Sequence, residues 1–184
     1  MRHLRWLGVV VLWLSVVGIG ILKPLYGEFG VGLGNVEEPS LKASARFNEA
    51  LSSFHLMLAA LDRKDQDAAT KYRNDARQQF KEAADFYGQA SSKADNHTLK
   101  ATANTPQERD DLKYFTEHAG IYEIKEPISQ KALITAISNQ VSKLGANIGG
   151  LGNSVNLRRQ QGLANLAAEL QRFLSSATTL LRIG

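Results

Sequence analysis

Apolar residues recur at spacings of three and four along residues 40–184, and this period corresponds to one face of an α-helix. No run of alternating β-branched residues and no Asn-Gly or Asp-Gly turn indicates a strand or a hairpin in that region. Short polar connections separate the helical stretches, which makes successive helices antiparallel neighbours. We therefore predict an all-α domain at residues 40–184, folded as an antiparallel four-helix bundle.

The first two predicted helices form a hairpin. One extends from about Ser40 to Asp62, and the second ends at about Lys93. The hydrophilic residues 62–67 predict a tight connection, in which the side chain of Asp65 is suited to cap the second helix. One face of this second helix is apolar, whereas the other carries opposite charges three and four residues apart and is typical of a solvated surface.

A capping box marks the start of the third helix. Thr105 supplies a hydroxyl cap, Pro106 suits the first helical position, and Glu108 can bond back to the cap. An apolar seam follows until Pro127, a residue that cannot donate a helical hydrogen bond. We predict that the third helix is kinked near Pro127, or that a helix restarts there.

Four glycines follow the third apolar seam, at positions 145, 149, 150 and 152. Each glycine inside a helix costs about 1 kcal/mol relative to alanine, so the cluster favours a turn between Gly145 and Asn153. In the alternative interpretation the helix continues, and its glycines form a smooth strip that another backbone can approach. The last predicted helix extends from about Ser154 to Arg182 and carries a wide apolar strip.

The amino-terminal residues are suited to a membrane. Every residue from position 6 to 22 is apolar, glycine or serine, and extension to residue 26 gives a helix that can cross a bilayer. Residue types that favour the two membrane interfaces occur at its ends: Trp6, Lys23 and Tyr26. We predict that residues 1–26 form a signal anchor or transmembrane helix, which contacts membrane lipid through residues 6–26.

The charges around this span indicate its orientation. Arg2 and Arg5 precede it, so we expect the amino terminus in the cytoplasm and the helical domain outside it, in the periplasm if the source is bacterial. A glycine-rich tether at residues 27–39 would join the two parts. The alternative is a cleaved signal peptide, which has the same charged start and apolar centre and would release a secreted or periplasmic soluble protein.

Charge is distributed unevenly along the 184 residues. The chain carries 22 Lys and Arg against 18 Asp and Glu, but residues 127–184 hold six cations and a single acid, Glu169. A basic face on the last part of the chain would suit an anionic partner. Its candidate contacts are Arg158, Arg159, Arg172 and Arg182. The alternative is that these cations pair with the more acidic central residues inside the bundle.

The sequence gives no indication of catalysis. The absence of cysteine excludes disulfides, thiolate metal sites and cysteine nucleophiles. The positions three residues before His55 and His118 hold Ser52 and Phe115, so the Glu-x-x-His pairs of a di-iron bundle are missing. We therefore expect no catalytic residue, no metal and no cofactor. Nucleic acid is not an expected partner, because a translocated domain does not meet it.

Two functions of different kinds fit these observations. The first is a non-catalytic, membrane-tethered bundle that acts as an interaction or assembly subunit for a protein partner at the membrane surface. The second is a sensor-like bundle that binds a small molecule in an apolar pocket between helices. The candidate pocket residues are Tyr72, Phe80, Tyr87, Phe115 and Tyr122. The same aromatic residues also suit an ordinary hydrophobic core.

Overall fold

A computed structural model describes residues 34–152 and 156–184, and these residues fold as α-helices around one apolar core. Short 3-10 helices cover Gly34–Val36 and Ala119–Tyr122. No strand is present in the described ranges, which confirms the predicted all-α class. The five α-helices are α1 Glu37–Asp62, α2 Gln66–Lys93, α3 Pro106–His118, α4 Gln130–Gly149 and α5 Leu157–Ile183.

The predictions for the amino-terminal anchor lie outside the described residues, including the interface residues Trp6, Lys23 and Tyr26. No helix within residues 34–152 or 156–184 is long and apolar enough to span a membrane. The predicted tether extended to residue 39, but a 3-10 helix covers Gly34–Val36 and α1 begins at Glu37.

The α1–α2 hairpin forms where the sequence predicts it. The Asp65 carboxylate accepts a hydrogen bond from the backbone N–H of Ala68 at 3.0 Å, which is the predicted cap of α2. The two helices pack through aromatic side chains, since the rings of Phe47 and Phe80 meet edge to face with their centroids 5.5 Å apart. Both rings are fully buried.

The predicted third helix is two separate helices, so a helix restarts after Pro127, as one of the two predicted outcomes has it, and the prediction of a single helix kinked there is wrong. Thr105 and Glu108 form the predicted capping box, but α3 ends at His118 and a 3-10 turn follows. Glu123 then adopts a left-handed conformation with φ of 63°. Proline disfavours the helical conformation of the residue that precedes it, so the chain becomes helical again only after Pro127. The Ser129 hydroxyl caps the new helix, α4.

Hydrogen bonds at both ends of α4 show that it is antiparallel to α2. The backbone N–H of Lys131, at the start of α4, donates to the carbonyl of Asp95, just beyond the end of α2. At the opposite end, the Arg73 guanidinium near the start of α2 donates to the Leu151 carbonyl at 2.7 Å. Helix α2 therefore packs against both α1 and α4, whereas α5 packs mainly against α3 and α4. The described residues form five α-helices where the sequence predicted four.

The short helix α3 packs against α5 and encloses its carboxy-terminal half. All six residues from 176 to 181 are buried, although three of them carry hydroxyl groups. Those hydroxyls are bonded: Thr179 donates to the Asp111 carboxylate at 2.8 Å, and Thr178 and Ser176 donate to carbonyls within α5. Because each group has a partner, their burial carries no penalty for an unsatisfied donor.

The glycine cluster acts both as a turn and as a contact. Helix α4 continues through Gly145 and ends at Gly149, so the chain turns inside the predicted window but only at its end. At Gly145 the alternative interpretation is correct, because a Cβ atom there would lie 2.6 Å from the Cβ of Phe80 on α2. The last helix starts later than predicted, at Leu157, with Asn156 as its cap.

The substitution Gly145→Ala tests this close packing. Its methyl group would overlap Phe80, so we expect it to lower the free energy of unfolding by about 1–3 kcal/mol. Gly162→Ala is the matched control, because Gly162 is exposed inside α5 and an added Cβ meets no atom within 4 Å. The control should stabilise the protein by up to about 1 kcal/mol, as measured by urea unfolding. Equal effects of the two substitutions would contradict the packing.

Candidate functional site

The predicted pocket aromatics lie in the core, in two separate groups. Phe80 and Tyr87 are buried between α1 and α2, where Phe80 meets Phe47. Phe115 and Tyr122 are buried elsewhere, against the ring of Phe173 on α5 at centroid distances of 5.2 and 4.0 Å. Tyr72 is only partly buried at the edge of the core. The structure therefore does not bring the five residues together around one cleft.

The buried phenols are neutral members of this packing. Burial raises the pKa of Tyr87 to about 12, and a hydrogen-bonding contact of 3.2 Å with the Ser44 hydroxyl opposes part of that rise. Burial also raises the pKa of Tyr122 to about 12. Both hydroxyl groups stay protonated at neutral pH, so neither provides a charged group for recognition.

The four arginines predicted as an anionic-partner contact do not form one surface. Arg158 and Arg159 lie in the first turn of α5, whereas Arg182 lies near its end, about 36 Å away along the helix axis. The Arg182 guanidinium bonds to the Glu108 carboxylate at 2.9 Å. The Arg172 guanidinium lies 4.0 Å above the ring centroid of Tyr114, where a cation–π interaction holds it.

The other two arginines border different surface features. Arg158 lines an open groove of about 470 Å³ between the end of α1 and the start of α5, together with Leu58 and Leu157. The Arg159 guanidinium lies beside the turn after α4, with a nitrogen 3.6 Å from where a Cβ of Gly150 would lie. The cations of α5 are thus dispersed along its length.

Glu108 joins the start of α3 to the end of α5. One carboxylate oxygen accepts the backbone N–H groups of Asn104 and Thr105, and the other accepts the bond from Arg182. The Asn104 bond, followed by the Arg182 contact, holds the pKa of this carboxyl below its ordinary value. Sequence reasoning found the capping box but missed Arg182, because no local pattern links residues 74 positions apart.

A second open groove, of about 530 Å³, runs between α2 and α4. Its floor contains Gly145 and other small residues, and its rim on α2 carries charges at intervals of four residues. The side chain of Arg77 also covers Gly149, where an added Cβ would lie 2.7 Å from its Cδ. The groove is lined by Asn74, Arg77, Gln78, Lys81, Ala84, Asp85, Ser142, Gly145 and Ala146.

This α2–α4 groove was not predicted as a site. Opposite charges three and four residues apart on α2 are the usual feature of a solvated surface, so their pattern alone predicts no binding site. The signal that separates Arg77, Lys81 and Asp85 from their neighbours is their shared line along the helix, four residues apart. That line becomes a groove wall only where Gly145 brings α4 alongside.

Neither metal-binding groups nor similarity to known proteins assigns a chemical activity to the described residues. Within residues 34–152 and 156–184 no group of three or more His, Asp or Glu side chains is placed to hold a metal ion. No family model, curated protein or solved structure matches this chain. The candidate site is therefore the α2–α4 groove, an open concavity lined by charged and hydrogen-bonding side chains.

The Glu108 contacts make stability depend on pH in the acid range. A carboxylate whose pKa is lowered by folding stabilises the native state above its unfolded value near 4.5, and the contribution is lost as the pH falls through the folded value. We expect Glu108→Gln to reduce the loss of melting temperature between pH 7 and about pH 3. Glu117→Gln, at an exposed position on α3, is the matched control and should reproduce the wild-type profile.

The substitution Tyr87→Phe tests whether this phenol is core or cleft. The native phenol ionises near pH 12 and the unfolded one near pH 10, so its contribution is complete below pH 10 and is lost as the pH rises toward 12. We expect Tyr87→Phe to lose less stability than wild type between pH 8 and about pH 11 in thermal unfolding. Tyr72→Phe, at a partly buried position on the same helix, should reduce this loss of stability less than Tyr87→Phe does. Identical profiles for all three proteins would contradict burial of Tyr87.

Proposed function

We propose that this protein is a non-catalytic, membrane-tethered extracytoplasmic helical bundle that acts as an interaction or assembly subunit at the membrane surface. In this proposal residues 6–26 hold the chain in the bilayer, and the residues that follow give the domain limited freedom above it. The four long helices form the antiparallel bundle. A tether confines this domain to a thin layer and raises its effective concentration for partners in the same layer.

The observation that supports this function is where the recognition groups lie. Four of the five aromatic side chains suited to a small-molecule cleft are buried in the core, whereas charged and hydrogen-bonding side chains line an open groove on the outside. A domain with a filled interior and a polar external groove suits recognition of another macromolecule better than enclosure of a small molecule. The interaction hypothesis is therefore favoured over the aromatic pocket.

The connectivity also orients the proposed domain. Helix α1 begins at Glu37, close to the proposed anchor in sequence, and it is about 39 Å long. The connection after α1, at residues 63–65, therefore lies at the end of the hairpin remote from the tether. The charged α2–α4 groove begins at Asn74, in the half of α2 that is nearer to this remote end. It would face partners above the membrane rather than the lipid.

Topology can be tested by labelling single cysteines, because the natural chain has none. We expect a membrane-impermeant maleimide to label Lys64→Cys in intact cells or spheroplasts, since Lys64 is exposed at the end of α1. Arg2→Cys is the matched control and should react only after the membrane is permeabilised. The opposite pattern would contradict the proposed orientation. Recovery of labelled Lys64→Cys in the soluble fraction, without residues 1–20, would instead support the cleaved signal peptide.

A further inference from the structure

We propose that the α2–α4 groove binds an extended acidic segment of a protein partner, with carboxylates at alternate positions of that segment facing Arg77 and Lys81. The inference rests on the proposed function and names the chemistry of the partner. The proposed occupant is a peptide segment because the groove is long and open, and it is acidic because the rim carries two cations, Arg77 and Lys81, against one acid, Asp85.

The spacing of the rim charges suits an extended chain. Arg77, Lys81 and Asp85 are four residues apart on α2, so successive charges are separated by about 6 Å along the helix axis. Alternate residues of an extended peptide lie on one side of the chain and are about 6.6 Å apart. Two carboxylates at such positions can therefore meet Arg77 and Lys81 together. A basic residue two positions further on would meet Asp85.

The dimensions of the groove fit a segment of this kind. Its lining extends from Asn74 to Asp85, which corresponds to about 16 Å of helix and to about five extended residues. The facing wall on α4 is low because it consists of Ser142, Gly145 and Ala146. The Asn74 amide and the Ser142 hydroxyl provide neutral donors that can reach carbonyl groups of a peptide backbone.

The cations of the rim are available to a partner. Within the described residues, no ion pair includes Arg77 or Lys81, although the neighbouring Glu82 pairs with Arg46 of α1. The Arg77 stem is held in place over Gly149, which limits the conformational freedom that binding would remove. Ordered cations of this kind favour an acidic partner over a neutral one.

The position of the groove distinguishes a peptide from lipid headgroups. Arg77 lies 16 residues before the end of α2 at Lys93. That end lies beside the start of α1, because the two helices form an antiparallel hairpin. The distance along α2 is about 24 Å, which exceeds the Debye length of about 8 Å at physiological ionic strength. The anchor's own bilayer therefore attracts this groove weakly, and a segment that reaches up from a partner is the better occupant.

The experiment uses the full chain in detergent micelles and a fluorescently labelled heptapeptide. The peptide has Glu at its second and fourth positions, Lys at its sixth, and Gly or Ser elsewhere. We expect saturable binding by fluorescence anisotropy that weakens as salt is raised. The double substitution Arg77→Glu with Lys81→Glu should weaken binding by about fivefold or more, because two ion pairs become repulsive.

A matched control separates this effect from a change in net charge. Lys64→Glu with Lys100→Glu alters two exposed cations outside the groove by the same total charge, and it should bind the peptide like wild type. Because Arg77→Glu can also disturb the packing over Gly149, Lys81→Glu alone is tested with thermal unfolding as a check on the fold. The single variant should retain the wild-type melting temperature and still bind more weakly.

The order of charges gives a second criterion. A peptide with Lys at its second and fourth positions and Glu at its sixth should bind wild type more weakly and the double variant more tightly. Equal binding of both peptides, or equal losses in the groove and control variants, would overturn the proposal. Binding of anionic lipid vesicles that the groove substitutions abolish, with no peptide binding, would also overturn it. Cysteine labelling tests the proposed membrane topology independently. A failure of peptide binding in the groove can therefore be distinguished from a failure of the proposed function.

Discussion

The contact between Gly145 and Phe80 determines how α2 and α4 lie against each other. A methyl group at position 145 would lie 2.6 Å from the Cβ of Phe80, so the observed packing requires a residue without a side chain. The glycine gives up about 1 kcal/mol of helix propensity for this close contact. In return Phe80 is buried completely beside Phe47, and the Arg77 side chain lies across the end of α4. The external groove is a direct consequence of the same contact.

The second structural constraint is the enclosure of the end of α5 by α3. The rings of Phe115 and Phe173 stack. The Arg172 guanidinium makes a cation–π contact with Tyr114, and the Arg182 guanidinium donates a hydrogen bond to the Glu108 carboxylate. These contacts engage Arg172 and Arg182, whereas Arg158 lines the groove beside α1 and Arg159 lies beside the turn after α4. A single residue, Glu108, both caps α3 and fixes α5, so local helix formation and tertiary packing support each other.

Local patterns predicted the elements well and their arrangement less well. The Asp65 cap and the Thr105 capping box are satisfied by residues within one turn, so sequence alone was sufficient to identify them. Pro127 correctly indicated an interruption, but the extent of the break depends on Glu123, whose left-handed conformation has no clear sequence signal. The groove at Gly145 could not be predicted, because it depends on which helix lies opposite. Periodicity shows that a face is buried, but it does not identify the partner.

The antiparallel contact of α2 with α4 is tested most directly by distances between paired spin labels. The cysteine-free chain permits two pairs, Asn74→Cys with Asn147→Cys and Asn74→Cys with Lys131→Cys, all at exposed positions. If α4 runs antiparallel to α2, the first distance will be shorter than the second by more than about 10 Å. Equal distances, or a shorter distance from residue 74 to residue 131, would contradict the packing on which the groove depends.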